Sequence, residues 1–227
     1  MPAATRPRQL ALALGHATSF AREDFLAGPT NAAAIGLIDR WPDWPDHLLV
    51  LAGPEGSGKS HLAAIWAEAA GARFLAARSL GEANPPAALS TGALVIEDLA
   101  DGAVDERALF HLINLAREQA AFVLVTAQTA PSGWTLRLPD LASRLRALPV
   151  VELGQPDDAL LRAILVKLFA DRQLGVEEDL LAYLTSRMER SVAAARAAVE
   201  RLDREALRLH RPVTRALAAE VFGRNEP

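Results

Sequence analysis

The chain contains no cysteine, so disulfides and thiolate metal sites are both excluded. Aromatic residues are scarce, at 5%. Alanine and leucine supply much of the 51% apolar fraction, a balance that favours a helix-rich α/β protein over an all-β sandwich. No apolar run approaches membrane-spanning length, and the N-terminal Met1-Pro2-Ala3-Ala4-Thr5-Arg6-Pro7-Arg8 is not followed by a signal-like hydrophobic region. These absences predict a cytosolic protein with no membrane partner. A net positive charge is also missing. The formal charge of −4 argues against whole-protein attraction to nucleic acid and leaves only a local basic patch open.

What the chain does have is Gly53-Pro54-Glu55-Gly56-Ser57-Gly58-Lys59-Ser60, placed directly after the apolar run Leu48–Ala52. A helical pattern from His61 to Ala70 follows it. This is the phosphate-binding loop pattern G-x-x-x-x-G-K-[ST] in strand–loop–helix context. The glycines let the backbone curl so that successive amides and a helix N-terminus face phosphate oxygens. Lys59 supplies a charge for the terminal phosphates, and the Ser60 hydroxyl suits Mg²⁺. A Gly/Ser loop with an incidental lysine is the bland alternative, and the flanking strand and helix count against it.

The 227 residues suffice for one large domain or one with a small appendage. Residues 1–20 lack helical periodicity and read as a mobile arm. An amphipathic segment spans Asn31 to Trp41, and the Pro42–Pro45 turn closes it. Strands are predicted at Leu48–Ala52, Arg73–Ala76, Ala93–Ile96, Phe122–Thr126 and Pro149–Leu153, with helices at His61–Ala70 and Asp105–Ala120. Glu82–Leu89, with two prolines, reads as a loop. Several of the strands are short apolar runs, as expected of parallel strands buried on both faces. The alternation implies a parallel sheet with helices on both sides. From Pro156 onward the pattern is wholly helical. Asp157-Asp158 caps a first helix, and the second carries Val176, Leu180, Leu181, Leu184 and Met188. A third spans Ser191 to His210, and a short one follows Pro212. The expected organisation is an arm at 1–20, an α/β core at 21–153 and a helical lid at 154–227.

A phosphate loop needs a metal-holding acid at the end of a neighbouring strand. Leu94-Val95-Ile96-Glu97-Asp98 supplies one. Asp98, and after it Glu97, are candidates to position Mg²⁺ or polarise an attacking water, against the plain reading of solvated acids at a strand end. Phe122–Gln128 ends with polar Thr126 and Gln128, which could sense a γ-phosphate or merely end a strand.

The order of phosphate loop, acidic strand end, polar strand end, Ser143-Arg144 and helical lid resembles the AAA+ ATPases. Asp24-Phe25-Leu26-Ala27-Gly28-Pro29-Thr30-Asn31 looks like the entry motif of the DnaA/Hda family, and Leu138-Pro139-Asp140-Leu141-Ala142-Ser143-Arg144-Leu145 resembles the corresponding segment of its Hda branch. The resemblance covers nearly the whole chain. It implies an α/β AAA+ core with a five-stranded parallel sheet and a small all-helical lid. It also implies ADP or ATP with Mg²⁺ as cofactor. The nucleotide-binding positions it implies are Gly28, Pro29, Asn31, His61, Gln128 and Arg196, besides Gly53, Pro54, Glu55, Gly56, Ser57, Gly58, Lys59 and Ser60. Ser60 and Asp98 would serve the metal, and Arg144 would be an arginine finger offered to a partner subunit.

DnaA proteins extend past the lid into a helix-turn-helix domain, whereas this chain ends at Pro227, so the Hda branch is the expected match. In the arm, Gln9-Leu10-Ala11-Leu12-Ala13-Leu14 resembles that branch's peptide for the replicative sliding clamp (the polymerase β subunit). Gln9 would anchor and Leu10, Leu12 and Leu14 would fill apolar pockets. A short helix or strand packed on the core is the alternative. The family pattern is broken at three places: Glu97 stands where Asp comes first in the acidic pair, Ala193 replaces a lid arginine with Arg196 one turn later, and Gln128 stands where an aspartate is common. These departures imply weak or absent hydrolysis by the chain itself.

The expected function is therefore a negative regulator of replication initiation that stimulates ATP hydrolysis by DnaA, with homodimers or higher homo-oligomers implied. A stand-alone ATPase acting as helicase loader or remodeller is the main rival, and a DNA-anchoring adaptor is a third. Arg187, Arg190, Arg196, Arg201, Arg204, Arg208 and Arg211 form a local basic excess, read either as a weak DNA contact or as a solvated ion-paired face.

Overall fold

The computed structural model describes residues 21–102 and 104–223. The clamp-peptide positions Gln9, Leu10, Leu12 and Leu14 lie outside the described residues.

Five strands, β1 (Leu48–Ala52), β2 (Arg73–Ala76), β3 (Ala93–Leu99), β4 (Phe122–Ala127) and β5 (Val150–Glu152), form one sheet in the order β2-β3-β4-β1-β5. Every neighbouring pair is parallel. β1 is buried at all five positions, which is why its sequence is an unbroken apolar run. Side chains alternate between two cores. On one face Leu49, Leu51, Val95 and Leu124 pack with α1 (Ala32–Asp39) and α2 (Lys59–Ala70), where Trp66 is almost fully enclosed. On the other, Leu48, Val50, Ile96 and Val125 pack with α4 (Glu106–Glu118) and α5 (Pro139–Arg146) through Leu109, Leu112, Leu141 and Leu145.

Two expectations need correction. The segment Glu82–Leu89 is not a plain loop: it holds a helical turn, α3 (Pro85–Ala88), whose N-cap Asn84 accepts from the Ala87 amide at 3.3 Å. Its prolines sit in the first turn, where a missing N–H costs no helical bond. The third strand runs on to Leu99 beyond the expected Ile96, because an irregularity between Ile96 and Leu99 carries the polar Glu97-Asp98 step before pairing resumes with Ala127.

Beyond β5 the described chain is helical: α6 (Asp158–Ala170), α7 (Glu178–Arg187), α8 (Val192–Leu209) and α9 (Arg215–Gly223). They share a separate apolar core around Leu161, Phe169, Leu184 and Leu202. Asp157 caps α6 by accepting from Leu160 N at 2.8 Å, and Ser191 caps α8 by accepting from Ala194 N at 3.0 Å. No helix among the described residues is long and apolar enough to cross a membrane.

Candidate nucleotide site

The phosphate loop joins the C-terminal end of β1 to the first turn of α2, the position from which backbone amides and the helix dipole favour an anion. Gly58 stands at the N-cap of α2 with φ 103°, and a Cβ there would press on the Phe25 ring at 3.1 Å. Gly56, with φ 73°, lies so close to the lid that a Cβ would meet Ser191 Cβ at 2.5 Å. The Gly56 carbonyl accepts from Val192 N at 3.0 Å, so the first turn of α8 is fastened to the loop. Loop and lid approach this closely here because Gly56 has no side chain.

Lys59 is 8% exposed, and its ammonium donates to the carbonyls of Gly53 and Pro54, each at 2.8 Å. Burial lowers its pKa from the ordinary 10.5, while the carboxylates of Asp98 and then Glu55 act in the opposite direction. Ser57 is buried, and its Oγ has no hydrogen-bond partner. A buried orphan hydroxyl beside curled glycines and an open helix N-terminus fits a bound phosphate. Ser60, Pro54 and Glu55 are exposed. No group of three or more His, Asp or Glu side chains that could hold a metal gathers among the described residues. A Mg²⁺ at Ser60 and the β3 acids would therefore draw further ligands from phosphate oxygens.

Beside the loop, a cavity of about 270 Å³ opens between core and lid. Phe25, Asn31, Ser57 and His61 line it from the core, and Leu160, Lys167 and Arg196 from the lid. Asn31 shapes the entry turn rather than capping α1: its Oδ1 accepts from Gly28 N at 2.8 Å and its Nδ2 donates to Leu26 O at 2.9 Å. Gly28 in turn lies against Leu160, where a Cβ would approach to 3.0 Å, and Pro29 is exposed. His61 meets Phe25 edge-on at 5.1 Å. Burial lowers the His61 pKa from 6.5. A hydrogen bond with the Ala21 backbone opposes this, Arg196 adds to it, Asp24 opposes it and Lys167 adds to it. On the lid, Ala193 is exposed whereas Arg196 lines the cavity.

The core–lid contact includes an ion pair that sequence reading missed. Lys167 of α6 reaches Asp24 of the entry segment at 2.7 Å and Asp171 of its own helix at 3.0 Å. Its partners hold the Lys167 ammonium above its ordinary range, the hydrogen bond to Asp24 foremost. Phe25 falls within the entry motif, whereas Leu160, Ile164 and Lys167 could not be singled out from the sequence, since apolar helix positions and a lone lysine carry no motif.

At the end of β3, Asp98 is exposed with φ 58°, and its amide donates to Thr126 Oγ1 at 3.0 Å. The left-handed region costs a non-glycine residue about 1–2 kcal/mol, and a hydrogen bond returns about 0.5–1.5 kcal/mol. Gln128 lies exposed beyond β4. Arg144 is apart from all of this. It sits in the last turn of α5, on the sheet face opposite α2, half-buried with its guanidinium over the Phe110 ring.

The lid arginines are largely balanced by acids. Arg190 pairs with Asp158, Arg204 with Glu200, Arg208 with Glu205 and Arg211 with Glu220, all within 3.0 Å. Arg201 donates to Val221 O and stacks over Phe222. The basic excess seen in the sequence is mostly an ion-paired helix surface.

No protein-family model matches the sequence. The chain is 26% identical, over an alignment of 236 residues, to the chromosomal replication initiator protein DnaA of Thermomicrobium roseum. That match takes in 88% of this chain and 48% of the relative, so the chain spans about half the length of that curated protein. Domain III of the Thermotoga maritima replication initiation protein DnaA superposes with a TM-score of 0.73 at 18% identity, covering 90% of this chain and 96% of that one. Replication initiator DnaA bound to AMPPCP and single-stranded DNA gives 0.65 at 16% identity, with 83% and 67% covered. The Thermotoga maritima RuvB Holliday junction branch migration motor gives 0.62 at 20% identity, with 78% and 61% covered. The five-stranded parallel sheet, the phosphate loop and the helical lid together make this a DnaA-like AAA+ domain III fold.

Proposed function

We propose that the chain is an adenine-nucleotide-binding regulator of replication initiation of the Hda type. In this reading it holds ADP, tethers to a DNA-loaded sliding clamp through Gln9, Leu10, Leu12 and Leu14, and docks on ATP-bound DnaA. Arg144 then enters DnaA's site and promotes hydrolysis there. Nucleotide binding is supported above all by one observation: the buried Ser57 hydroxyl without a partner, set in a glycine cradle beside Lys59 under a lid. A replication initiator DnaA bound to AMPPCP and single-stranded DNA shares the fold. The amides from Gly56 to Ser60 would bind phosphate, Lys59 would turn its ammonium from loop carbonyls to phosphate oxygens, and Phe25, Leu160 and Ile164 would enclose the base. Ser60, Asp98 and Glu97 are the candidates to hold Mg²⁺, which when bound would neutralise phosphate charge.

The finger role draws support from the position of Arg144. It lies on the sheet face opposite α2, it is absent from the lining of the chain's own cavity, and it stands at a helix end. The test is hydrolysis of labelled ATP preloaded on DnaA, with DNA-loaded clamp present. Wild type should accelerate it, whereas Arg144→Ala and the arm variant Gln9→Ala/Leu12→Ala/Leu14→Ala should not. Stimulation equal to wild type by either variant refutes the corresponding assignment.

A second reading, a motor or loader with its own turnover, is favoured by the acids at the end of β3, of which Asp98 is exposed, and by the fold shared with the RuvB motor. It requires ATP hydrolysis by this chain without DnaA, abolished by Asp98→Ala.

A further inference from the structure

We propose that Thr126 is a positioning residue for the acidic end of β3, holding Asp98 toward the phosphate loop through its backbone amide. The inference rests on the nucleotide-site reading above. Side chains alternate along a strand, so Glu97 and Asp98 should point to opposite faces of the sheet. Leu94 and Ile96 belong to the core on the α4 face and Val95 to the core on the α2 face. Continued alternation would place Glu97 on the loop side and sink Asp98 into the apolar core beneath α4.

The strand does not continue regularly. Its pairing with β4 shifts between Ile96 and Leu99, Asp98 turns to φ 58°, and Leu99 takes the place in the α4-side core. Asp98 is left exposed next to Leu99, which pairs with Ala127, the residue whose carbonyl accepts from Gly53 N at the start of the loop. Irregularities of this kind re-aim side chains next to functional sites. Thr126 pins the irregularity from the neighbouring strand. It is wholly buried, and its Oγ1 accepts from the Asp98 amide at 3.0 Å. The hydroxyl oxygen is thus committed to the backbone of the acid. A second contribution follows from its place on β4, one strand from the phosphate loop: Gly53 N donates to the carbonyl of Ala127, the next residue. The same stretch of β4 thus steadies both the start of the loop and the acidic end of β3.

The test is binding of fluorescent N-methylanthraniloyl-ADP to the full chain, titrated in EDTA and then over a range of Mg²⁺. Wild type and Thr126→Ser, which keeps the hydroxyl, should bind more tightly as Mg²⁺ is added. Thr126→Val has nearly the same shape and should match wild type in EDTA. Its apparent Mg²⁺ affinity should fall about ten- to a hundredfold, the usual effect of removing a group that orients a metal-facing carboxylate. Equal Mg²⁺ dependence in Thr126→Val and wild type overturns the inference. So does equal loss of affinity in EDTA, which would make Thr126 a purely structural residue. Nucleotide binding by wild type without any Mg²⁺ effect also overturns it and leaves the nucleotide reading standing. Absence of nucleotide binding by wild type refutes that reading itself.

Discussion

The Arg144 guanidinium carbon lies 5.2 Å from the centroid of the Phe110 ring, so the last turn of α5 rests on the flank of α4. A cation over an aromatic face at such a partly exposed place contributes about 0.5–1 kcal/mol. Arg144→Ala should therefore cost little stability and, from the far side of the sheet, leave ADP affinity unchanged. Loss of stimulation of DnaA should be large, since a finger can supply about 10³–10⁵ in rate. Lysine should rescue poorly, because it lacks the planar fork and stacks less well. Calorimetry with ADP alongside the hydrolysis assay separates these effects, and a weakened ADP affinity in Arg144→Ala would count against a role in trans.

Lys59→Ala should weaken ADP binding about ten- to a hundredfold, the value of one charge-assisted contact of roughly 1.5–3 kcal/mol. The substitution also frees the carbonyls of Gly53 and Pro54, which now accept from the ammonium. Removing a buried charge offsets part of that loss, so thermal stability without nucleotide should change little. Isothermal titration of both proteins checks the first point and a melt the second. Equal ADP affinities would remove the phosphate loop from the functional argument.

Much of this architecture was legible in the sequence, and the reasons differ by element. Leu48–Ala52 and Arg73–Ala76 were located to the residue, because Pro45, Gly53, Gly71 and the apolar runs bound them sharply. Asp157 announced the start of α6 through a side chain suited to cap it, and the helical pattern placed the start of α8 at Ser191, whose capping role the structure adds. The extension of β3 to Leu99 was hidden because two acids interrupt the apolar run, and only pairing with β4 reveals that the strand resumes. Pro85 and Pro86 suggested a loop although proline fits a helix's first turn equally well. The lid side of the cavity and the stacking of Arg144 on Phe110 are products of tertiary packing between distant segments, and no local pattern encodes them.

Gly56→Ala should unfasten the lid from the loop. The new methyl would lie 2.5 Å from Ser191 Cβ, and the residue would hold φ 73° at a cost of about 1–2 kcal/mol. Ser191 cannot retreat freely, because it caps α8 and is 3% exposed. The expected result is a lower melting temperature together with faster nucleotide release, read by stopped-flow chase of a fluorescent ADP. Gly36→Ala, in α1 with open space around its Cβ position, is the control: it should leave nucleotide release unchanged and raise the melting temperature slightly through its better helix propensity. If Gly56→Ala released nucleotide at the wild-type rate, the contact between loop and lid would have no part in retention.

Acid should destabilise the protein through His61. Burial is the largest influence on its imidazole, and the nearby Arg196 and Lys167 also disfavour the charged form, against the Ala21 backbone and Asp24. The folded-state pKa thus lies below the ordinary 6.5, so the unfolded chain takes up a proton first as pH falls. Stability is unaffected by this group well above 6.5, declines as pH drops from 6.5 toward the folded-state value, and loses nothing further below that. Melting temperatures measured without nucleotide between pH 7.5 and 5.5 should fall for wild type, and fall less for His61→Gln, which cannot titrate. The carboxylate ion pairs, Lys167–Asp24 among them, are common to both proteins and cancel in the comparison. Identical pH dependence in the two would show that the buried imidazole carries its proton as readily in the folded protein as in the unfolded chain.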